Sequence, residues 1–153
     1  MDFYKPPESD VEIETGRAFK PIKAIVLGLL VSMALSMVVS VIEVIIFAVI
    51  LKLDLSDAKA LNLLTGKNTT FQIVDTIITF LILFFAGRVV RKYAPGKEVL
   101  VGLIVASLTF VFALYMTISS GGFVTGPVWY NVASLLSIFV AIYLGSNPTG
   151  KVS

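Results

Sequence analysis

Two carboxylic acids, Glu43 and Asp75, lie inside long apolar stretches of this 153-residue sequence, where an ionised side chain is costly. Counted along helices, Glu43 lies about 12 Å and Asp75 about 6 Å of rise from the same, outer end of their segments. No lysine or arginine stands at that depth to pair with them. Each carboxyl group is therefore expected to be protonated, hydrogen-bonded or bound to a cation.

Polar side chains of the second, third and fourth segments could complete a pocket around these acids that opens to the outside: Thr76, Thr79, Tyr115, Tyr130 and Asn131. Three interpretations stay open. Asp75 caps or anchors its helix in the headgroup region, or Glu43 is a protonated donor that fixes the helices or meets a basic residue of another protein. In the third, both acids form a site that handles protons or cations.

The composition offers few of the side chains that enzymes use for catalysis. The chain has no histidine and no cysteine, which removes thiol nucleophiles, histidine bases and the usual nitrogen and sulfur metal ligands. Gly121-Gly122 lacks the lysine of a phosphate-binding loop, and Glu43 and Asp75 lack an aspartyl-protease motif. No basic domain suits nucleic acid. We therefore expect no enzyme, no metal site, no cofactor and no nucleic-acid partner.

The acids must be positioned by membrane helices. The chain is 57% hydrophobic and 14% charged, with a mean hydropathy of +0.95, and its apolar runs are continuous rather than alternating. These runs predict an all-α, polytopic membrane domain over 24–145, between tails at 1–23 and 146–153. We expect an up-down-up-down bundle of four transmembrane helices, at about 24–51, 71–90, 99–118 and 128–144.

The first of these segments carries a seam of small residues, defined by Gly28, Ser32, Ser36 and Ser40. The i+4 spacing places them with Glu43 within an arc of roughly 120°. Small side chains let helix backbones approach closely, which favours packing inside the bundle. Contact with a second copy or another membrane protein is the alternative.

The connections have turn and cap signals. In the stretch 52–70, Ser56 suits an N-cap and Gly66 suits the position after a helix, which predicts a short helix at the membrane surface. After the second segment, Pro95 ends the helix and Gly96 can take a positive φ.

Basic residues predict the orientation. Nine of the twelve lysines and arginines lie in the N-terminal tail, the second connection and the C-terminal tail. The positive-inside rule therefore places both termini in the cytoplasm. Four residues of the second connection are read as membrane anchors, with binding of anionic lipid headgroups as the alternative: Arg88, Arg91, Lys92 and Lys97.

Three stretches read FYKPPESDVE, AGRVVRKYAPGKE and GPVWYNVASLL. Together they resemble uncharacterised small four-helix bacterial inner-membrane proteins that begin with an Asn-Pro-Tyr-x-Pro-Pro-like tail. This chain has Asp2-Phe3-Tyr4 where that tail has Asn-Pro-Tyr. The resemblance implies a multi-pass topology in the bacterial inner membrane.

The function expected from the sequence is a non-enzymatic accessory, assembly or regulatory subunit of a membrane complex. Its partners would be the lipid bilayer and another membrane protein or a second copy of itself. The alternative is a small proton- or cation-coupled transporter or channel that uses Glu43 and Asp75.

Overall fold

The computed structural model describes residues 20–119 and 127–147, and nearly all of these residues are helical. Within these two ranges there is no strand, so the prediction of an all-helical chain is confirmed for them. In chain order, the elements are α1 (Pro21–Leu29), a π-helical turn (Leu30–Leu35), α2 (Ser36–Ile50), α3 (Ala58–Lys67), α4 (Thr69–Tyr93), α5 (Glu98–Ser119) and α6 (Val128–Ser146). The predicted N-terminal tail falls almost wholly outside the described residues, as does most of the C-terminal tail.

Four helices are long and apolar enough to cross a membrane. The first helix is continuous from Pro21 to Ile50 and comprises α1, the π-helical turn and α2; the others are α4, α5 and α6. They contain 30, 25, 22 and 19 residues. At about 1.5 Å per residue even the shortest approaches the ~30 Å of a bilayer core. These dimensions indicate a multi-pass membrane protein.

The four helices alternate in direction along the chain. The backbone N–H of Lys20 donates to the carbonyl of Tyr93 at 3.0 Å, which places the start of the first helix beside the end of α4. The start of α5 likewise lies beside the end of α6, where Gly102 faces Ser146. We call this end of the bundle the Tyr93 end, and the opposite one, where α3 lies, the α3 end.

The closest helix pair is α4 and α6, which run in the same direction. A Cβ atom added to Gly145 would lie 3.0 Å from the Cα of Gly87 and 3.1 Å from the nitrogen of Arg88. The two backbones therefore touch without intervening side chains, as small residues allow in membrane helices. Leu83 and Ile142 are fully buried nearby and form part of the apolar core.

The π-helical turn keeps the seam of the first helix on one face. In an α-helix, a step of four residues overshoots a full turn by about 40°, so an i+4 seam drifts around the axis. The wider i→i+5 turn needs more than four residues per revolution, so a step of four falls short there. Because the turn spans Leu30–Leu35, it offsets the drift between Ser32 and Ser36.

The start of α3 differs from the prediction. Asp57, and not Ser56, is its N-cap, since the Asp57 carboxylate accepts hydrogen bonds from the backbone N–H groups of Lys59 at 2.9 Å and Ala60 at 3.3 Å. Ser56 instead donates its N–H and hydroxyl to Asp54, at 2.8 and 2.7 Å. These two hydrogen bonds hold the pKa of Asp54 below its ordinary value.

The prediction that Gly66 follows the end of α3 is also wrong, because the helix continues to Lys67. Asn68 then separates α3 from α4, and its side-chain oxygen accepts the N–H of Phe71 at 2.9 Å. An asparagine that caps the next helix makes a glycine cap unnecessary here. Gly96 has a φ of +79°, which confirms the predicted turn after α4.

Candidate functional site

A cavity of about 340 Å³ lies toward the α3 end, between the first helix, α4, α5 and α6. Most of its lining side chains are polar, which is unusual inside an apolar bundle: Ser32, Ser36, Ser40, Asp75, Thr79, Thr109, Thr117, Tyr130, Asn131 and Ser134. The rest are apolar: Met33, Met37, Leu83, Phe112, Ala113, Met116, Leu135 and Ile138. Among the described residues, no lysine or arginine lines it. The cavity therefore suits a ligand that is neutral or positive.

Glu43 and Asp75 meet behind one wall of this cavity. Their side chains are 6% and 9% exposed, and the two carboxyl groups lie within hydrogen-bonding distance of each other. Two buried carboxylates this close repel, so the pair is expected to hold at least one shared proton. The Oε1 atom of Glu43 has no hydrogen-bond partner among the described residues. The pair thus retains an acceptor that protein groups leave unused.

The start of α6 brings a third polar group to the pair. Pro127 is the N-cap of α6, and the first turn of the helix carries Tyr130 and Asn131. The Tyr130 hydroxyl donates to Oδ2 of Asp75 at 2.5 Å. Asn131 is buried and lines the cavity beside it. Asp75 therefore links α2, α4 and α6 through side-chain hydrogen bonds.

Two serine hydroxyls in the cavity wall are unsatisfied. The Oγ atoms of Ser36 and Ser134 are buried and have no hydrogen-bond partner among the described residues. A buried polar atom without a partner costs about 1–3 kcal/mol, which a ligand or water can recover. By contrast, the hydroxyls of Ser32 and Thr109 bond to each other at 3.0 Å and join the first helix to α5.

The structure brings together five of the seven residues predicted for the polar site. Thr76 does not line the cavity, and its hydroxyl donates to the carbonyl of Gln72 at 2.7 Å. Thr79 and Asn131 line the cavity with Asp75, and Glu43 reaches it through Asp75. Tyr115 does not belong to the site, because it is 65% exposed on the outer face of α5. It lies two positions, or about 200° of helical rotation, from the cavity-lining Ala113.

The seam divides into two parts. Gly28 and Ser32 are buried against neighbouring helices, and a Cβ atom at Gly28 would lie 2.9 Å from the Val90 side chain. Ser36 and Ser40 are half-buried and line the cavity. All four residues thus face the interior of this chain, which favours the intramolecular interpretation over a partner contact.

The predicted anchors lie at the Tyr93 end. The guanidinium of Arg88 lies 5.4 Å from the centroid of the Phe84 ring, and the Lys92 ammonium lies 5.6 Å from that of Tyr93. Lys23 approaches the Tyr93 ring as well, at 4.9 Å. Of the four anchors only Arg91 is half-buried, and the exposed ones are Arg88, Lys92 and Lys97.

Several contributors were not singled out from the sequence as site residues. Ser134 and Thr109 stand on the small-residue faces of their helices, which is a signal for packing and not for a cavity. Gln72 is 1% exposed, and its side-chain nitrogen donates to the carbonyl of Thr65 at 3.1 Å, joining α3 to α4. The sequence does contain a signal for Gln72, because it is a polar residue in an apolar helix, three positions before Asp75.

No protein family, curated protein or solved structure matches this chain. Within residues 20–119 and 127–147, no group of three histidine, cysteine, aspartate or glutamate side chains is placed to hold a metal ion. The role of the cavity must therefore be argued from its own side chains.

Proposed function

We propose that this chain is a small multi-pass membrane protein that exchanges a cation for a proton at the Glu43–Asp75 pair, as a proton- or cation-coupled transporter. The observation that carries the proposal is a buried carboxyl pair beside a cavity with ten polar lining residues. Structural interactions between helices need neither a cavity nor unsatisfied hydroxyls. A ligand site requires a cavity with a few polar groups that can bind the ligand.

The chemistry of the pair suits exchange. A carboxyl pair that shares its protons can release one when a cation enters, so the charge at this depth stays nearly constant. Tyr130 holds Asp75 in place through its hydroxyl, while the free Oε1 of Glu43 and the serine hydroxyls offer further oxygen atoms.

The proposal includes a location in the bacterial cytoplasmic membrane, with 1–23 and 146–153 on the cytoplasmic side. Its support is the placement of Lys23, Arg88 and Lys92 at the Tyr93 end, since basic residues concentrate on the cytoplasmic side. The cavity would then open toward the outside. The chain has no cysteine, so Ser56→Cys and Lys92→Cys can be labelled cleanly. A membrane-impermeant maleimide should label Ser56→Cys in intact cells and Lys92→Cys only after lysis; the reverse pattern would invert the orientation.

Proton exchange can be measured in liposomes that contain the purified chain and a trapped pH-sensitive dye. A cation gradient should drive a proton flux in the opposite direction with the natural chain. Glu43→Gln and Asp75→Asn should each reduce this flux at least tenfold. Glu98→Gln is the matched control, because it removes a carboxylate at the start of α5, at the Tyr93 end. Equal fluxes from all four proteins, or none above empty liposomes, would refute the proposal.

An accessory subunit remains a second candidate, and one observation favours it. Of the fifteen residues of α2, only Glu43 and Ala48 are buried in this chain. Val41 on α2 is 60% exposed. Val111 on α5 is exposed to a similar degree, at 64%, and therefore provides a matched control position. A photo-crosslinking residue at position 41 should capture one stoichiometric membrane protein in native membranes if this role is correct, and position 111 serves as the control. Identical products from both positions would count against it.

A further inference from the structure

We infer that the cavity binds a small organic monocation, a primary or secondary ammonium with an apolar body, and not a bare metal ion. This inference rests on the proposed cation-for-proton exchange and names the class of its substrate. The argument uses the charge of the cavity, the composition of its wall, its hydrogen-bonding groups and its size.

The charge of the cavity is set by Asp75. It is the single acidic residue among the described lining residues, and Glu43 stands directly behind it. Because no described lysine or arginine lines the cavity, an anion would find no cationic side chain there. One carboxyl pair that keeps one proton carries one negative charge, which matches a monovalent cation.

The apolar part of the lining is adaptable. Met33, Met37 and Met116 line the cavity, which are three of the four methionines in the chain, and Phe112 lies among them. Methionine side chains are flexible and polarizable, so they fit organic groups of varied shape. A Ca²⁺ ion would instead require about six to eight oxygen ligands around one point, whereas eight of the residues that line this cavity are apolar. A lining that combines one acidic residue with methionine and phenylalanine side chains fits an amine with an apolar body.

The hydrogen-bonding groups match an ammonium head. Such a head has two or three N–H donors, which need acceptors close together. Asp75 supplies a carboxylate, and the unpartnered Oγ atoms of Ser36 and Ser134 supply two hydroxyl acceptors on α2 and α6. An ammonium bound at Asp75 would offer N–H donors to lining hydroxyls that have no partner in the described part of the chain.

The size of the cavity limits the ligand. A volume of about 340 Å³ lies at the small end of the range for ligand pockets, which begins at about 300 Å³. A single aromatic ring with a short amine chain is of this scale. Phenethylammonium is therefore the probe that we choose, with phenethyl alcohol as its neutral counterpart of nearly equal shape.

The proton balance follows from the groups that face the pair. Glu43 comes from α2, Asp75 from α4 and the Tyr130 hydroxyl from α6, and the lining residues from α5 include no titratable group. The pair holds two protons before binding. When the ammonium binds as an intact cation, one proton leaves for water and the other stays shared between the two carboxyl groups. No covalent bond other than that O–H bond breaks. Binding is thus accompanied by release of one proton per cation.

Binding can be followed through Trp129, the single tryptophan, whose ring centroid lies 6.0 Å from that of Tyr130. The purified full chain in detergent is titrated with phenethylammonium, phenethyl alcohol, and sodium or potassium chloride. We expect saturable fluorescence change with phenethylammonium and at least tenfold weaker binding of the alcohol. Asp75→Asn should weaken phenethylammonium binding at least tenfold, and Glu98→Gln should leave it unchanged.

Calorimetry of the natural chain in two buffers of different ionisation enthalpy counts the protons released, so the test does not depend on a variant that folds. Release of about one proton with phenethylammonium supports the inference. Equal binding of alcohol and amine overturns it. Saturation with proton release by sodium or potassium alone also overturns the substrate class, but it leaves the proposed exchange standing. Absence of proton release with every probe overturns the proposed function as well.

Discussion

The contact between α4 and α6 makes a strong prediction for Gly145→Val. A Cβ atom at this position would lie 3.0 Å from the Cα of Gly87, 3.1 Å from the nitrogen of Arg88, and closer still to the carbonyl oxygen of Phe84. These are backbone atoms, which cannot rotate away as a side chain would. The two helices must therefore separate to reach an ordinary contact distance of 3.4 Å or more.

The magnitude follows from two opposing effects. Overpacking of a tight contact costs about 1–3 kcal/mol, whereas valine has a better helix propensity than glycine by about 0.4 kcal/mol. We expect a net loss of about 2 kcal/mol in the free energy of unfolding, or roughly a 30-fold change in the equilibrium constant. The loss should be larger than that of any single exposed substitution on α6.

The assay is unfolding by sodium dodecyl sulfate in mixed micelles, followed by circular dichroism and by Trp129 fluorescence. Leu144→Val is the matched control, because it introduces the same residue at the adjacent position, where the side chain is 45% exposed. If Gly145→Val and Leu144→Val unfold at the same detergent fraction, the close approach of α4 and α6 is not what stabilises the bundle.

Three further predictions concern local contacts. A double-mutant cycle with Ser32→Ala and Thr109→Val should give a coupling energy of about 0.6 kcal/mol, which is the average for hydrogen bonds between membrane helices. A coupling energy of zero would show that the 3.0 Å contact between the two hydroxyls does not stabilise the bundle. Asp57→Ala removes the cap of α3, so amide exchange in α3 should accelerate about fivefold, for a loss of about 1 kcal/mol; unchanged exchange would contradict this. Ser56→Ala should raise the pKa of Asp54 toward its ordinary value, as measured by carboxyl-carbon NMR. Because the pKa of Asp54 is depressed in the natural chain, its hydrogen bonds stabilise the loop above the ordinary pKa, and this effect is lost as the pH falls through the depressed value.

The membrane-spanning helices were predictable from the sequence because long apolar runs are a strong signal. The residues at which these helices end are harder to predict from the sequence. The second span was expected to end at Val90, but α4 continues to Tyr93, since Arg91 and Lys92 favour a helix C-terminus and Pro95 is the first residue that forbids continuation. The π-helical turn at 30–35 has no such signal, because its sequence LVSMAL contains neither proline nor glycine.

The acidic residues of the candidate site can be predicted from the sequence. The other residues that line the cavity are harder to predict. The sequence predicts Glu43 and Asp75 at similar depth, and their side chains meet in the structure. Ionisable residues in membrane helices face the bundle interior and pair with one another, because an unpaired charge in the apolar region is costly. The hydroxyl of Tyr115 predicts a site residue, but its position on the helix directs the side chain outward. Met116 lines the cavity, and nothing in its local sequence separates it from a lipid-facing methionine. Which apolar residues face a cavity depends on tertiary packing alone.

The first helix and α4 meet at both ends but cover different lengths of chain. Lys20 is level with Tyr93, and the Phe47 ring packs edge-on against Phe71, at 5.2 Å between centroids. Between these contacts the first helix uses about 27 residues, or about 40 Å, and α4 uses about 22 residues, or about 33 Å. The longer helix must therefore cross the bundle obliquely, with part of the excess absorbed by the compact π-helical turn. A helix inclined to its neighbours diverges from them along its length, and the cavity lies between this helix and the other three.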